Sequence, residues 1–355
     1  METHPNPLTH PHTLVITGCR SSAARHGRGK GIGVFALTGT CQTVALDEWE
    51  TPANPSYLAF GDRARVLYAV HGDGTTVSAY RVAEDGGLTP LAQQHCGGRN
   101  PVHLLVSRSG RWLMVANYAT GNLSTLPILA GGALGAVAST LVLPGNPGPH
   151  RTQQTGAHPH QLVYHPASDW IAVPDKGSDF VHTIRINEGT GALQWLDGAR
   201  MPSGSGPRHL VFSRDGTTAW ITLELSSQVL AATVCADSGR FTPAQRTSTL
   251  PDAFTGDNTS AGIVLMPDDR LFVSNRGHGS VVEFDIKDGR LTAPRWHLTH
   301  GKVPRFITAS PDQQRLWVAN EDSDVIECLN GAGPLKPIAF TGSPVCIVFK
   351  SGVSA

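Results

Sequence analysis

A repeat in register is the feature that most constrains what this chain can fold into. A proline, an apolar run, a tight turn and a second apolar run ending in a polar tip recur along almost all of its 355 residues. The clearest copies are NPVHLLVSRSGRWLMVANYATGNLSTLPI from Asn100, GPRHLVFSRDGTTAWITLELSSQVLAATV from Gly206 and VPRFITASPDQQRLWVANEDSDVIECLN from Val303. Anchored at their starts, the copies begin at Pro55, Pro101, Pro159, Pro207, Ser260, Pro304 and Pro344, at gaps of 46, 58, 48, 53, 44 and 40 residues. Short apolar runs bounded by Gly, Asp and Pro read as strands. Seven units of this length predict an all-β, seven-bladed β-propeller with four-stranded antiparallel blades.

The same register says how the ring closes. After Pro344 the chain has only PVCIVFKSGVSA, enough for one strand, whereas TLVITGC from Thr13, GIGVFAL from Gly31 and TVALDEW from Thr43 read as second, third and fourth strands without a first. A blade sewn from both ends, Thr13 to about Trp49 plus Val345 to Phe349, hides the edges an open ring would expose. The expected organisation is therefore a flexible tail over residues 1–12 and one domain over 13–350.

Charge and cysteine usage narrow the setting. Lys plus Arg (28) equals Asp plus Glu (28), so no bulk field draws the chain to nucleic acid or an acidic membrane, and neither is an expected partner. No apolar run approaches the length of a membrane span. METHPNPLTHPH has neither a basic start nor an apolar stretch, so no signal peptide or anchor is expected there. The six cysteines, Cys19, Cys41, Cys96, Cys235, Cys328 and Cys346, are scattered without a Cys-x-x-Cys pair and read as reduced thiols. A cytoplasmic protein follows as an expectation, as a monomer or weak homo-oligomer.

Antiparallel pairing puts the start of each first strand beside the end of the second, so two sets of side chains open on one mouth of the channel. The position after each anchor reads Ser56, Val102, His160, Arg208, Ala261, Arg305 and Val345. The tips read His71-Gly72, Asn117-Tyr118, Asp175-Lys176, Leu223-Glu224, Asn275-Arg276 and Asn320-Glu321. A repeat that needed only to fold would put the same turn residues at every tip. Instead His160, Arg208, Glu224, Arg276, Arg305 and Glu321 crowd blades four to seven.

These units resemble the seven-bladed propeller lactonase family, which includes bacterial-type 6-phosphogluconolactonases and fungal 3-carboxy-cis,cis-muconate lactonizing enzymes. The resemblance is carried by NPSYLAF at Asn54, GRWLMVANYATGNLS at Gly110, GAHPHQLVYHP at Gly156, SGPRHLVFSRDG at Ser205, ELSSQV at Glu224, VSNRGHGSV at Val273, PRFITASPD at Pro304 and GSPVCIVF at Gly342. It spans about residues 13 to 350. It implies a site of one histidine, two arginines and one glutamate, which fall on His160, Arg208, Glu224 and Arg276. The blade-two tip, HGDG, departs from the family's usual Asn or Glu.

Opening a lactone takes a charge sink for the carbonyl oxygen, a base for water and an acid for the leaving alkoxide. Arg208 and Arg276 suit the first task or the clamping of a phosphate or carboxylate. His160 is the natural proton carrier near neutral pH, and Glu224 could activate water or orient His160. His158, Arg305, Glu321 and Asn117 are expected to shape the pocket and contact substrate. The expected activity is cofactor-independent hydrolysis of an anionic sugar lactone, foremost 6-phosphogluconolactone. Two other readings stand beside it: cycloisomerisation of a carboxylated muconate, and a non-catalytic interaction propeller in which an Arg208–Glu224 ion pair merely lines the channel. His158-x-His160 lacks the further ligands zinc needs, so no metal is expected. GRGKGIG from Gly27 lacks the Gly-Lys-Ser/Thr ending of a phosphate loop, and no Gly-x-Ser-x-Gly elbow occurs. The stretch from Leu129 to Gly156 is the longest insertion and reads as either a lid or a linker.

Overall fold

A computed structural model describes residues 13–61 and 65–351. The tail expected over residues 1–12 lies outside the described residues. Those residues form seven four-stranded antiparallel sheets, each built in chain order except the first. In that first blade the C-terminal strand Pro344–Lys350 is innermost, followed outward by Thr13–Cys19, Gly31–Gly39 and Gln42–Glu50. Leu14 pairs with Lys350 and Gly18 with Cys346, so the two chain ends are hydrogen-bonded along a full strand.

The anchors of the repeat are the first residues of the inner strands: Pro55–Phe60, Pro101–Val106, Pro207–Phe212, Ser260–Leu265, Pro304–Ala309 and Pro344–Lys350. Proline suits this place because it has no N–H to leave unpaired and its φ is already fixed. The residue before it turns the chain through the left-handed region at Asn54, Asn100, Gly206, Val303 and Ser343, with φ between 45° and 62°. Blade four departs: Pro159 makes only an isolated bridge to Asp175, and its inner strand shrinks to Val163–Tyr164. His160, Gln161 and Leu162 therefore lie outside the ladder.

Immediately after the anchor the ladder slips. Pairing jumps from Pro55–His71 to Tyr57–Val70, from Pro207–Leu223 to Leu210–Ile221 and from Pro304–Asn320 to Phe306–Ala319. Such bulges re-aim the unpaired side chain, and the skipped residues include Ser56, Arg208 and Arg305. The faces of the blades pack against one another through buried apolar residues, such as the cluster of Trp170, Leu210, Ile221, Leu230 and Phe241 between blades four and five. At about 25 cal/mol per Å² of apolar surface, these faces supply the stabilisation that short strands lack on their own.

One expectation is corrected here. Cys41, in the turn between the two outermost strands of blade one, is disulfide-bonded to Cys328, in the strand Val325–Leu329 of blade seven; Cys19, Cys96, Cys235 and Cys346 are free. The bond lies beside the blade that joins the chain ends. The 129–156 insertion is also more structured than a linker. Ser139–Val142 is the outer strand of blade three, and the loop after it is pinned by Gln154. The Gln154 amide donates to Lys176 O and Asp179 Oδ1 at 2.9 and 2.8 Å. Among the described residues no helix is long and apolar enough to cross a membrane.

Candidate active site

Two rings of side chains meet at one mouth of the channel. The bulges supply Ser56, Arg208 and Arg305, while the residues just past the second strands supply Gly72, Tyr118, Lys176, Glu224, Arg276 and Glu321. The second strand of blade one ends at Cys19, so the same place in that blade is held by Arg20. The residue immediately before each of these has a different task. Asn117 is fully buried, and its amide nitrogen donates to Cys96 O and Ser124 Oγ at 3.2 and 3.1 Å. Asn320 is likewise buried, and donates to Glu327 Oε2 at 2.7 Å. At these two tips the first residue is spent on structural bonds, and the second is the one left to the mouth.

Glu224 is the hub. Its Oε1 meets Lys176 Nζ at 2.7 Å and Arg276 Nη2 at 2.8 Å, and its Oε2 lies 3.0 Å from Arg208 Nε. Burial pushes its carboxyl up, but Arg276, Lys176 and Arg208 outweigh burial and hold it well below the usual carboxylate range. It is a fixed anion and a weak base. Three cations around one carboxylate leave two positive charges uncompensated. Arg208 is only 4% exposed, and its Nε and Nη1 are buried without hydrogen-bond partners; the contact to Oε2 is an ion pair lacking hydrogen-bond alignment. Burial, opposed by Glu224, pulls its guanidinium down to about 9. Unmade bonds from a buried guanidinium are costly, and a developing oxyanion is the partner they suit.

His160 stands beside this hub as a neutral ring. Burial first, and then Arg208, Lys176 and Arg305, hold its pKa well below the ordinary histidine value, and its Nδ1 is buried without a partner. It belongs to a run of aromatic rings down the channel wall. Tyr118 meets it edge-on at 5.8 Å and His209 at 5.1 Å; His209 then meets His103 at 6.1 Å, and His103 meets Tyr57 at 4.0 Å. His158 is committed elsewhere. Its Nδ1 lies 2.7 Å from Tyr118 O, its Nε2 is 3.1 Å from Thr155 Oγ1, and its ring stacks on Tyr118 at 4.4 Å. It fastens blade three to blade four.

Thus His160, Arg208, Glu224 and Arg276 are brought together, and Arg305 and Glu321 pair with each other within blade seven at 3.4 Å. His158 and Asn117 are turned to structural bonds. The sequence reading passed over Lys176, Arg20 and His209. Lys176 stood in the row of tips beside Glu224, and its Nζ also bonds Gln153 Oε1 at 2.8 Å, which ties the insertion loop to the site. Among the described residues no group of three or more His, Cys, Asp or Glu could hold a metal ion. A separate hollow of about 570 Å³ opens at the opposite face, among Tyr164, Phe212, Leu265 and Met266. It lies at the other ends of the inner strands and contains none of these groups.

Residues 13–349 match the family described as lactonase, 7-bladed β-propeller. The chain is similar to a 6-phosphogluconolactonase of Bacillus subtilis, 29% identical over 91% of this chain and 95% of that protein. It is similar also to a 6-phosphogluconolactonase of Formosa agariphila, 31% identical over 84% and 87%. Among solved structures, the periplasmic gluconolactonase of Pseudomonas aeruginosa superposes with a TM-score of 0.85, at 28% identity, covering 96% of this chain and 99% of that one.

Proposed function

Because the chain belongs to the seven-bladed β-propeller lactonases, we propose that the mouth built around Glu224 hydrolyses 6-phosphogluconolactone to 6-phosphogluconate. The observation that carries the reading is the pair of unpartnered Arg208 N–H groups in a buried mouth with excess positive charge. Donors fixed in advance where negative charge will develop are a large source of rate enhancement. The names of the two 6-phosphogluconolactonase relatives support the choice of substrate.

In this mechanism His160, kept unprotonated by burial and its cationic neighbours, accepts a proton from water as the water oxygen attacks the lactone carbonyl carbon. Arg208, supported by Arg276 and Lys176, meets the resulting oxyanion. Collapse of the tetrahedral intermediate breaks the bond from that carbon to the ring oxygen, which takes the proton from the imidazolium. Glu224 is a positioning residue: it aligns the three cations and stays ionised throughout. Arg305, outside the Glu224 cluster, is available to the substrate's anionic end. The cytoplasmic location expected from the sequence stays part of this reading through its phosphorylated, membrane-impermeant substrate; the Cys41–Cys328 bond removes the support drawn from reduced thiols.

The test is lactone opening followed by proton release at neutral pH, with 6-phosphogluconolactone and δ-gluconolactone as substrates. The protein should accelerate opening well above the spontaneous rate, and Arg208→Ala should abolish the acceleration. A wild-type protein no faster than its Arg208→Ala variant on either lactone sinks the proposal.

A further inference from the structure

Opposite the Glu224 hub, blades seven, one and two present a second set of cations that hydrolysis at the lactone carbon does not use. Arg20 is 6% exposed, and its Nε is buried without a hydrogen-bond partner. It shares Glu321 with Arg305, at 3.3 Å from Arg20 Nε and 3.4 Å from Arg305 Nη1. Both are loose beside the 2.7–2.9 Å of a well-made charge-assisted bond. Its other anion, Asp73, sits 3.4 Å from Arg20 Nη1 and is gripped more closely by Arg25, whose Nε donates to Asp73 Oδ2 at 2.7 Å. Three guanidiniums therefore face two carboxylates, and the most buried of the three, Arg20, has no contact to either closer than 3.3 Å.

Beside Arg20 the second ring lacks a side chain, and Ser56 and Arg20 close in on the bare backbone. Gly72 holds the place that Tyr118, Lys176, Glu224, Arg276 and Glu321 hold in blades three to seven. A Cβ there would come within 2.8 Å of Ser56 Oγ and 3.1 Å of Arg20 Nη1. Ser56 Oγ is itself buried and without a partner. The segment is held in place: Arg20 N donates to Ser343 O at 2.9 Å, and Asn54 Oδ1 accepts from the N–H groups of Ser21 and Ser22, each at 3.0 Å. A held backbone, a buried guanidinium with an unpartnered Nε, an unpaired hydroxyl and a half-buried Arg305 belong to one side of the mouth.

We propose that Arg20, Ser56 and Arg305 form a dianion subsite that holds the phosphate of the substrate across the channel mouth from the lactone-opening hub. The proposal rests on the lactonase reading above and adds to it how the phosphorylated substrate is told from the unphosphorylated one. A sugar lactone 6-phosphate carries its reacting carbonyl and its dianion at opposite ends, as the two clusters stand on opposite sides of the ring. Phosphate would take over the donors that Glu321 now shares poorly, with guanidinium forks matched to its oxygens.

The experiment measures kcat and KM for 6-phosphogluconolactone and δ-gluconolactone in wild type, Arg20→Met, Arg20→Lys and Ser56→Ala, with thermal midpoints as a check on folding. The preference for the phosphorylated lactone should fall roughly 100-fold in Arg20→Met, mostly in KM, and roughly 5-fold in Ser56→Ala, with partial recovery in Arg20→Lys. Calorimetric titration with 6-phosphogluconate reads the subsite independently of turnover: it should bind wild type and be lost in Arg20→Met. If wild type opens neither lactone but still binds 6-phosphogluconate through Arg20, the lactonase reading fails and the subsite stands. If Arg20→Met and Ser56→Ala leave both the preference and the titration unchanged, the subsite is refuted. Equal loss on both lactones with an unchanged midpoint refutes it as well.

Discussion

Acid should unfold this protein through its histidines before its carboxylates. Four of them are buried neutral: burial lowers His71 to about 4 and His103 to about 3, and holds His160 and His209 well below the ordinary value, with Arg208 adding to the last three. In the unfolded chain each titrates near 6.5. Above that value both states are neutral and the histidines make no difference. Between 6.5 and the folded-state values the unfolded chain binds protons that the folded one refuses, so stability falls as pH falls. Going from pH 7 to pH 5 costs about 2 kcal/mol for each histidine held as low as His71 and His103, about 4 kcal/mol for that pair, and His160 and His209 act in the same direction. Urea denaturation followed by tryptophan fluorescence at pH 7, 6 and 5 reads this directly, and the midpoint should collapse toward pH 5. Replacing His209 by Gln should remove about one proton from the slope. A midpoint that holds steady or rises from pH 7 to pH 5 would show that these rings are not held neutral by the fold, and the assignment of His160 as an unprotonated imidazole at the site would go with it.

Three further outcomes follow from the same geometry. Glu224→Gln leaves Lys176, Arg208 and Arg276 without their shared anion, which should cost about 3–5 kcal/mol of stability and raise KM while lowering kcat; a loss confined to kcat at an unchanged midpoint would make Glu224 the base instead. Since His160 is already neutral and Glu224 already ionised, kcat/KM for δ-gluconolactone, which has no titrating phosphate, should be flat from pH 6 to pH 8, and a steep rise across that interval contradicts the assignment. Thiol titration of protein unfolded without reductant should find four reactive cysteines, with six appearing only after reduction.

The sequence and the structure agree where the physics is local. Prolines that open strands, turns that need Gly or Asp, and a missing first strand at the N-terminus each obey short-range rules, which is why the ring and its closure were legible. The clustering of Arg208, Glu224 and Arg276 was legible where the repeat is broken. The bonds that hold Asn117 and His158 were not, because a polar residue near a tip looks the same whether it faces the channel or bonds neighbouring backbone. Arg20 was missed for a different reason: its blade has no anchor before it, so the register that exposed the other tips never reached position 20. The Cys41–Cys328 pair is 287 residues apart in sequence, and only the closed ring makes the two neighbours.

Joining the chain ends within one blade bears on when the mouth can exist. Arg20 is held by Ser343 and stands at the end of a strand whose inner neighbour is Pro344–Lys350. A ribosome has therefore to produce the strand Pro344–Lys350 before the residue at position 20 finds its place, so the nascent protein should stay silent toward phosphorylated substrate until that strand emerges. The same adjacency makes the molecule a natural subject for circular permutation. A short linker from Lys350 to Thr13, with new termini between the exposed Glu84 and Asp85, would turn the sewn blade into an ordinary hairpin series and move the seam to blade two.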